Sequence, residues 1–241
     1  CGLNAPRSAA AAIQRLQALE PDLLLLGGDY ASPGLLDRLN GRTGADEGNA
    51  RAAFFAGLAG FDAPLGKLAI SGDNDGDPAQ LAALAPAAGV QLIDGGAQIL
   101  DNGTDSLAIV GLGSQPADVT AIASQFSNAD CVLVLAHSPD QLIDVQIAEA
   151  ADGGAWADLV LAGHTHGGQV RLFDRTALSL TEMEERYLAG WYDGDTLPVL
   201  VTQGLGCEGA NFRLGTQAEV WFITLQTGSS ASGESEGASS R

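Results

Sequence analysis

Four short apolar runs constrain the fold of this chain more than any other feature of its sequence. They cover residues 23–26, 68–70, 132–135 and 159–162, and each is followed within a few positions by aspartate or histidine. Runs of this length without alternating polar residues are typical of parallel strands that are covered on both faces. We therefore predict an α/β protein in which these segments are buried core strands.

The segments between the runs predict helices, because apolar residues recur there at helical spacing. The predicted helices cover residues 8–19, 50–58, 79–88, 118–126 and 141–150, with further strands at 90–93 and 107–110. After Gly163 no helix is predicted, and strands at 169–172, 199–202 and 219–225 alternate with polar turns. One domain is expected over residues 1–226. Residues 227–241 are rich in Gly, Ser and Glu, so a disordered tail is expected there.

The charge balance narrows the classes of partner. The chain has 30 acidic and 11 basic residues, and its formal net charge is −19. Nucleic acid and anionic lipid are repelled by such a chain, whereas divalent cations are attracted to it. No apolar run approaches the ~20 residues of a membrane helix, so no membrane segment is expected in this chain.

The three cysteines indicate a reducing compartment. Cys1, Cys131 and Cys207 are odd in number and far apart, which fits neither a disulfide framework nor a closely spaced zinc motif. A cytoplasmic location is therefore expected.

All three histidines of the chain, together with three aspartates, lie just after predicted strands. These residues are His137, His164 and His166 with Asp29, Asp73 and Asp75. In open α/β sheets, ligands bind at the carboxyl ends of the strands, so these side chains are expected to converge. Imidazole and carboxylate together suit Zn, Mn, Fe or Ni, and a mixed set that spans two ions suits hydrolysis. The sequence thus predicts a metal centre.

The motifs at these strand ends resemble those of the calcineurin-like metallophosphoesterases. The matching blocks are Gly28-Asp29, Gly72-Asp73-Asn74-Asp75, His137 and Gly163-His164-Thr165-His166-Gly167-Gly168-Gln169, in the order of the family. The last block is the most specific and is similar to a branch of predicted bacterial phosphohydrolases that includes lipid-precursor pyrophosphatases. The resemblance covers about residues 16–225. It implies a sandwich of two mixed β-sheets flanked by helices, with α/β/β/α layers.

The resemblance also implies a metal-binding role for each matching residue. Asp29 resembles the carboxylate that bridges two divalent ions, which could be Mn, Zn, Fe, Ni or Mg. Asp73, His137 and His164 resemble ligands of one ion, and His166 resembles a ligand of the other. The implied reaction is attack of a metal-activated water on a phosphodiester, phosphomonoester or pyrophosphate. The substrate would be a small phosphorylated molecule or a lipid-linked phosphate.

The sequence departs from the family pattern in two places. The opening Asp-x-His motif, which supplies two further ligands of the second ion, is absent, and the chain is expected to be truncated just after it, at Cys1. The usual third motif of the family is Gly-Asn-His-Asp, and this chain has Gly72-Asp73-Asn74-Asp75 at that place. Asn74 therefore replaces the histidine that, in the family, protonates or stabilises the leaving oxygen. Asn74 and His137 are the expected catalytic residues. One tightly bound ion and a weak second site are expected.

Other functions remain open at this point. An impaired or non-catalytic fragment could keep one metal site as a structural or binding element. An amidohydrolase needs more than the three histidines present. A metallo-β-lactamase-like enzyme needs an Asp-His pair shortly after His-x-His. In this chain, Gly, Gly, Gln and Val occupy positions 167–170 instead.

Two weaker patterns have simpler explanations. Gly111-Leu112-Gly113 lacks the third glycine of a dinucleotide-binding loop. The charged residues 181–186 are explained by a solvated surface, with a loop that covers the substrate as the alternative.

Overall fold

The computed structural model describes residues 6–30, 45–126, 128–148, 153–172, 175–176, 180–193, 197–208 and 212–226. Six α-helices lie in these ranges, namely α1 (Pro6–Gln17), α2 (Ala45–Leu58), α3 (Pro78–Ala87), α4 (Val119–Phe126), α5 (Leu142–Ile147) and α6 (Glu182–Arg186). The strands of the same ranges are β1 (Leu23–Leu26), β2 (Gly66–Ala69), β3 (Gln91–Leu92), β4 (Gly96–Asp101), β5 (Ser106–Leu112), β6 (Cys131–Ala136), β7 (Leu159–Ala162), β8 (Arg171–Leu172), β9 (Arg175–Thr176), β10 (Gly190–Tyr192) and β11 (Val199–Val201).

The first sheet contains three parallel strands in the order β1-β2-β3. Helices α1, α2 and α3 cover its outer face, where Ile13, Leu58 and Leu81 pack with the buried leucines Leu24 and Leu26. Parallel neighbours need crossover connections, and helices that return across one face supply them. The apolar run at β1 is therefore buried because helices lie over it.

The second sheet contains six strands in the order β10-β11-β7-β6-β5-β4. The outermost pairs, β10 with β11 and β4 with β5, are antiparallel, and the central strands are parallel. Helices α4, α5 and α6 cover one face through Val119, Leu142 and Met183. Strands β8 and β9 form a separate antiparallel pair.

The two large sheets face each other across an apolar core. Ile70 from the end of β2 packs there with Ile109, Leu133 and Leu159 of the second sheet. Alternate residues of β6 point the other way, so that Val134 lies on the helix-covered face. The layers are helix, sheet, sheet and helix, and the predicted fold class is confirmed.

The prediction that helices stop after Gly163 is wrong. Helix α6 begins after Thr181, whose side chain accepts a hydrogen bond from the Glu184 backbone N–H while the Glu184 carboxylate accepts one from the Thr181 backbone N–H. This reciprocal capping provides hydrogen-bond acceptors for two backbone N–H groups at the start of a short helix. The sequence predicted only a solvated, charged surface for this stretch.

The strand predicted at residues 219–225 is also wrong. Apolar residues of this segment, such as Trp221 and Phe222, are exposed, and no β-ladder of the described residues includes it. An apolar segment becomes a strand only where it finds a partner for its backbone. Strand β4 was not predicted from the sequence, and only its residues 98–101 alternate between half-buried and exposed.

Among the described helices, none combines the length and the apolarity needed to cross a membrane. The predicted tail, residues 227–241, lies outside the described residues.

Candidate metal centre

Four predicted ligands meet at one end of the sandwich. Asp29 follows β1, Asp73 follows β2, His137 follows β6 and His164 follows β7. One ligand atom from each residue lies within 4.8 Å of the others. We call Asp29, Asp73, His137 and His164 the ligand cluster. The carboxyl ends of parallel strands thus bring together residues that are far apart in the chain.

The ring of His137 is oriented by the backbone. Its Nδ1 lies 2.8 Å from the carbonyl oxygen of Gly27, which can only accept a hydrogen bond, so Nδ1 must carry a proton. In the neutral ring, Nε2 then presents a lone pair to the ligand cluster. Nε2 lies 2.9 Å from Asp73 Oδ1 and 3.7 Å from Asp29 Oδ1. Acceptor atoms at these separations repel each other unless a positive charge lies between them.

The ring of His164 shows the same arrangement. Its Nδ1 lies 3.2 Å from Asp73 Oδ1 and 3.2 Å from His137 Nε2, while its Nε2 lies 3.0 Å from Glu184 Oε1. The ligand cluster therefore presents two imidazole nitrogens and two carboxylates to one point. This donor set fits a divalent transition metal, since both ring nitrogens that face the point are free to offer lone pairs.

The pKa values of His164 and Asp73 are both shifted in the direction that favours a positive charge within the ligand cluster. Burial lowers the pKa of His164, but the hydrogen bond and charge of Asp73 and then the charge of Glu184 outweigh it and raise that pKa to about 9. The adjacent imidazoles of His137 and His164 hold the pKa of Asp73 well below its usual range.

Backbone strain is concentrated at these residues. Asp29, His164 and His166 adopt left-handed conformations, with φ of 59°, 68° and 52°. Such conformations cost energy for residues other than glycine and cluster at functional sites. At the neighbouring Gly28, a Cβ would lie 2.6 Å from Gly72 N, so the loops that carry the aspartates approach each other too closely for a side chain.

Asp75 does not contribute a ligand atom but anchors these loops. Its carboxylate accepts hydrogen bonds from the backbone N–H groups of Asp29 at 2.9 Å, Tyr30 at 2.7 Å and Gly72 at 2.7 Å. The buried Nε of Arg51 lies 3.8 Å away. Burial raises the pKa of Asp75, and the bonds from Gly72 and Tyr30 act against that rise. Asp75 thus fixes the backbone on both sides of the ligand cluster.

Asn74 lies at the edge of the ligand cluster. Its backbone N–H donates to Asp29 Oδ1 at 2.9 Å, and its side-chain Nδ2 donates to Asp29 Oδ2 at 3.2 Å. A further, longer contact of 3.4 Å joins Nδ2 to Asp73 Oδ1. The amide of Asn74 can therefore orient Asp29 and donate to an oxygen bound beside it.

His166 is buried and has no hydrogen-bond partner among the described residues at either ring nitrogen. Burial lowers its pKa to about 3, so the ring is neutral. Leaving both nitrogens of a buried imidazole unsatisfied is costly, and binding a ligand would remove that cost. His166 is not part of the ligand cluster, and its role as a ligand of a second ion stays a prediction. The Arg213 side chain donates a hydrogen bond to the backbone carbonyl of His166 at 2.9 Å, which helps to hold the turn that contains His166.

Sequence reasoning missed Glu184, which contacts His164. The available signal was the Thr-x-x-Glu spacing of a capping box at residues 181–184. That signal predicts a helix start, but it does not reveal that the glutamate faces the interior.

Comparison with known proteins finds relatives that are named metallophosphoesterases. No protein-family model matches the chain. An uncharacterized metallophosphoesterase of Campylobacter jejuni is 26% identical over 125 residues, which cover 52% of this chain and 30% of that protein. The uncharacterized metallophosphoesterase YkuE of Bacillus subtilis is 25% identical over 172 residues, which cover 69% of this chain and 58% of YkuE. The resemblance to metallophosphoesterases is thus confirmed by sequence similarity to proteins of that name.

The likeness extends to the fold of a solved structure. The sulfate thiohydrolase SoxB of Thermus thermophilus matches 87% of this chain with a TM-score of 0.50 and 17% identity, over 39% of the SoxB chain. At this identity the likeness concerns the fold alone. The curated metallophosphoesterases are likewise matched over only part of their length, 30% and 58% for the two described above.

Proposed function

We propose that this metallophosphoesterase-family protein is a metal-dependent hydrolase of a phosphodiester, phosphomonoester or pyrophosphate bond. The observation that carries the proposal is the ligand cluster, in which lone pairs of His137 and His164 and carboxylates of Asp29 and Asp73 face one point. The competing explanation is an ion pair of Asp73 and Glu184 with protonated His164, whose Nδ1 proton a metal ion would displace. Both rings direct their other nitrogen to an acceptor outside the ligand cluster, so each ring, when neutral, offers a lone pair to the same point.

The residues present fit a divalent ion held by these four side chains, of the class that includes Zn, Mn, Fe and Ni. When bound, such an ion would supply the Lewis acidity that hydrolysis of phosphate esters needs at neutral pH. His166, with its unsatisfied ring nitrogens, is the residue we assign to a second ion that shares Asp29. The substrate we propose is a small phosphorylated molecule or a lipid-linked phosphate.

The side chains around the ligand cluster have separate tasks in this proposal. Asp29 supplies a buried negative charge that holds cations in place, and Asp75 keeps the Asp29 backbone in position through its hydrogen bond. His137 keeps its lone pair directed inward because Gly27 holds the opposite nitrogen. Asn74 donates a hydrogen bond at the edge, where a leaving oxygen could accept it.

Metal titration tests the proposal. We expect calorimetry of the metal-stripped chain with Mn²⁺ or Zn²⁺ to show about one tight site, because the ligand cluster offers four donors to one point and His166 stands apart. The loaded chain is expected to hydrolyse p-nitrophenyl phosphate, bis-p-nitrophenyl phosphate or pyrophosphate with little turnover, because His166 is the one residue besides Asp29 that we assign to a second ion. Binding of no divalent ion would refute the proposal. One tight site with no hydrolysis of any ester would favour a metal-binding element without catalysis.

The Asn74→His variant is expected to accelerate hydrolysis of alkyl phosphate esters more than that of nitrophenyl esters. An alkoxide leaving group needs a proton, whereas a nitrophenolate leaves without one, and a general acid contributes about 10²- to 10⁴-fold. Turnover of both ester types, measured for the variant and the parent chain, gives the comparison. Asn49→His, on the exposed side of α2, is the matched control. Equal acceleration of both esters would show that residue 74 does not contact the leaving group.

A further inference from the structure

Glu184 is a buried carboxylate on a short, otherwise exposed helix. The residue is 4% exposed, whereas its neighbours Glu182 and Glu185 on α6 are exposed. Removing a carboxylate from water is costly unless hydrogen bonds and an opposite charge compensate it. The contacts of Glu184 therefore show which groups compensate the cost of burying its carboxylate.

Three donors converge on the Glu184 carboxylate. Oε2 accepts a hydrogen bond from the Thr181 backbone N–H at 2.8 Å, and Oε1 accepts one from Ser138 Oγ at 3.3 Å. Oε1 also lies 3.0 Å from His164 Nε2. Among the ion pairs of the described residues, the partner of Glu184 is His164. The imidazole N–H is thus one of three donors that compensate the burial of this carboxylate.

This contact determines which nitrogen of His164 faces the ligand cluster. A carboxylate can only accept, so the proton of the neutral ring lies on Nε2, and Nδ1 keeps its lone pair. That Nδ1 is the atom 3.2 Å from both Asp73 Oδ1 and His137 Nε2. A hydrogen bond from the far nitrogen to a carboxylate fixes the ring and makes the near nitrogen a stronger metal ligand.

The same carboxylate links the two loops that carry histidine ligands. Ser138 directly follows His137, and its hydroxyl donates to Glu184 while accepting from the Asp140 backbone N–H at 3.2 Å. Glu184 therefore contacts the loop after β6 through Ser138 and the loop after β7 through His164. Glu184 thus connects the loops that carry the two imidazoles of the ligand cluster.

We propose that Glu184 is a positioning residue of the metal centre, which holds His164 as the Nε2–H tautomer so that Nδ1 binds the metal ion. The inference rests on the proposed function, because it assigns a role toward the ion of that site. It explains a burial that neither a surface helix nor a loop over the substrate requires.

Metal affinity of the Glu184→Gln variant tests this role. Glutamine preserves the volume but removes the charge, and it offers one acceptor oxygen to three donors. We expect Zn²⁺ or Mn²⁺ to bind about 10- to 100-fold more weakly, measured by calorimetry of the metal-stripped chain. Glu185→Gln makes the same charge change one residue away on the exposed side of α6 and is expected to leave the affinity within about 2-fold.

The tautomer of His164 gives a second readout that needs no substitution of Glu184. Long-range proton–nitrogen NMR of the zinc-loaded chain, with the His164 signals assigned from a His164→Gln variant, is expected to place the proton on Nε2. A proton on Nδ1, or equal affinities of the Glu184→Gln and parent chains, would overturn the inference even where the parent chain binds zinc. A parent chain that binds neither Zn²⁺ nor Mn²⁺ would overturn the proposed function and this inference together.

Discussion

Replacing Asp29 by asparagine is expected to weaken divalent metal binding more than ~100-fold and to remove phosphoesterase activity. Loss of a partner that only orients a ligand costs about 10- to 100-fold in affinity, so loss of a charged ligand costs more. Asparagine tolerates the left-handed φ of 59° at this position and can still accept the hydrogen bond from the Asn74 backbone. The variant should therefore fold, and metal content after dialysis, together with calorimetry, measures the loss.

The exposed Asp62 provides the matched control for this substitution. Asp62→Asn makes the same change of charge outside the ligand cluster and is expected to bind metal as the parent chain does. Unchanged metal content in Asp29→Asn, with the same melting temperature as the parent chain, would mean that Asp29 is not a ligand.

The Gly72→Ala substitution is expected to destabilise the chain by about 3 kcal/mol and to disrupt metal binding. A Cβ at this position would overlap Asp29 Oδ1 and Asp29 N and would lie 2.7 Å from His137 Cε1. Overpacking typically costs 1–3 kcal/mol, and here the obstructing atoms include backbone and a buried ring that cannot move aside separately. Urea denaturation of the metal-stripped variant measures the stability, and calorimetry measures the binding.

Gly27→Ala is the control for this steric argument. No heavy atom lies within 4 Å of the Cβ that it would add, although Gly27 belongs to the loop that carries Asp29. We expect this variant to keep both stability and metal affinity. If Gly72→Ala were as stable as Gly27→Ala, the close approach of the two aspartate loops would be wrong.

The convergence of the ligand cluster could be predicted from the sequence because it depends on topology alone. Apolar runs such as β1 and β6 identify buried parallel strands, and the carboxyl ends of parallel strands lie at one edge. Residues that directly follow those runs therefore meet there, whichever helices connect them. Asp29, Asp73, His137 and His164 were found in this way.

The roles of Asp75 and Glu184 could not be predicted in the same way. Asp75 has the sequence context of a ligand, but its carboxylate is used by three backbone N–H groups. Glu184 has the context of a solvated residue, but it is buried, and its carboxylate both completes the capping box of Thr181 and contacts His164. In both cases the decisive quantity is the direction of a side chain, which residue order does not specify.

The error at residues 219–225 has a different origin. Its apolar side chains predict a strand as strongly as those of β11 do, yet β11 lies between β7 and β10 whereas residues 219–225 belong to no β-ladder of the described chain. Strand propensity is a preference for a pleated, half-buried surface, and such a surface exists only where neighbours provide it.

The origin of the four cluster residues makes this site a cross-link between the two sheets. Asp29 and Asp73 extend from β1 and β2 of the first sheet, and His137 and His164 extend from β6 and β7 of the second. A cation bound by all four would join layers that also meet through apolar contacts, such as that of Ile70 with Ile109, and through the hydrogen bond between His137 and the Gly27 carbonyl. Binding to the folded chain alone adds about 2.7 kcal/mol of stability when the free ion is at 100 times its Kd. The fraction of sites that hold a metal ion and the free energy of unfolding of the two-sheet domain should therefore rise and fall together.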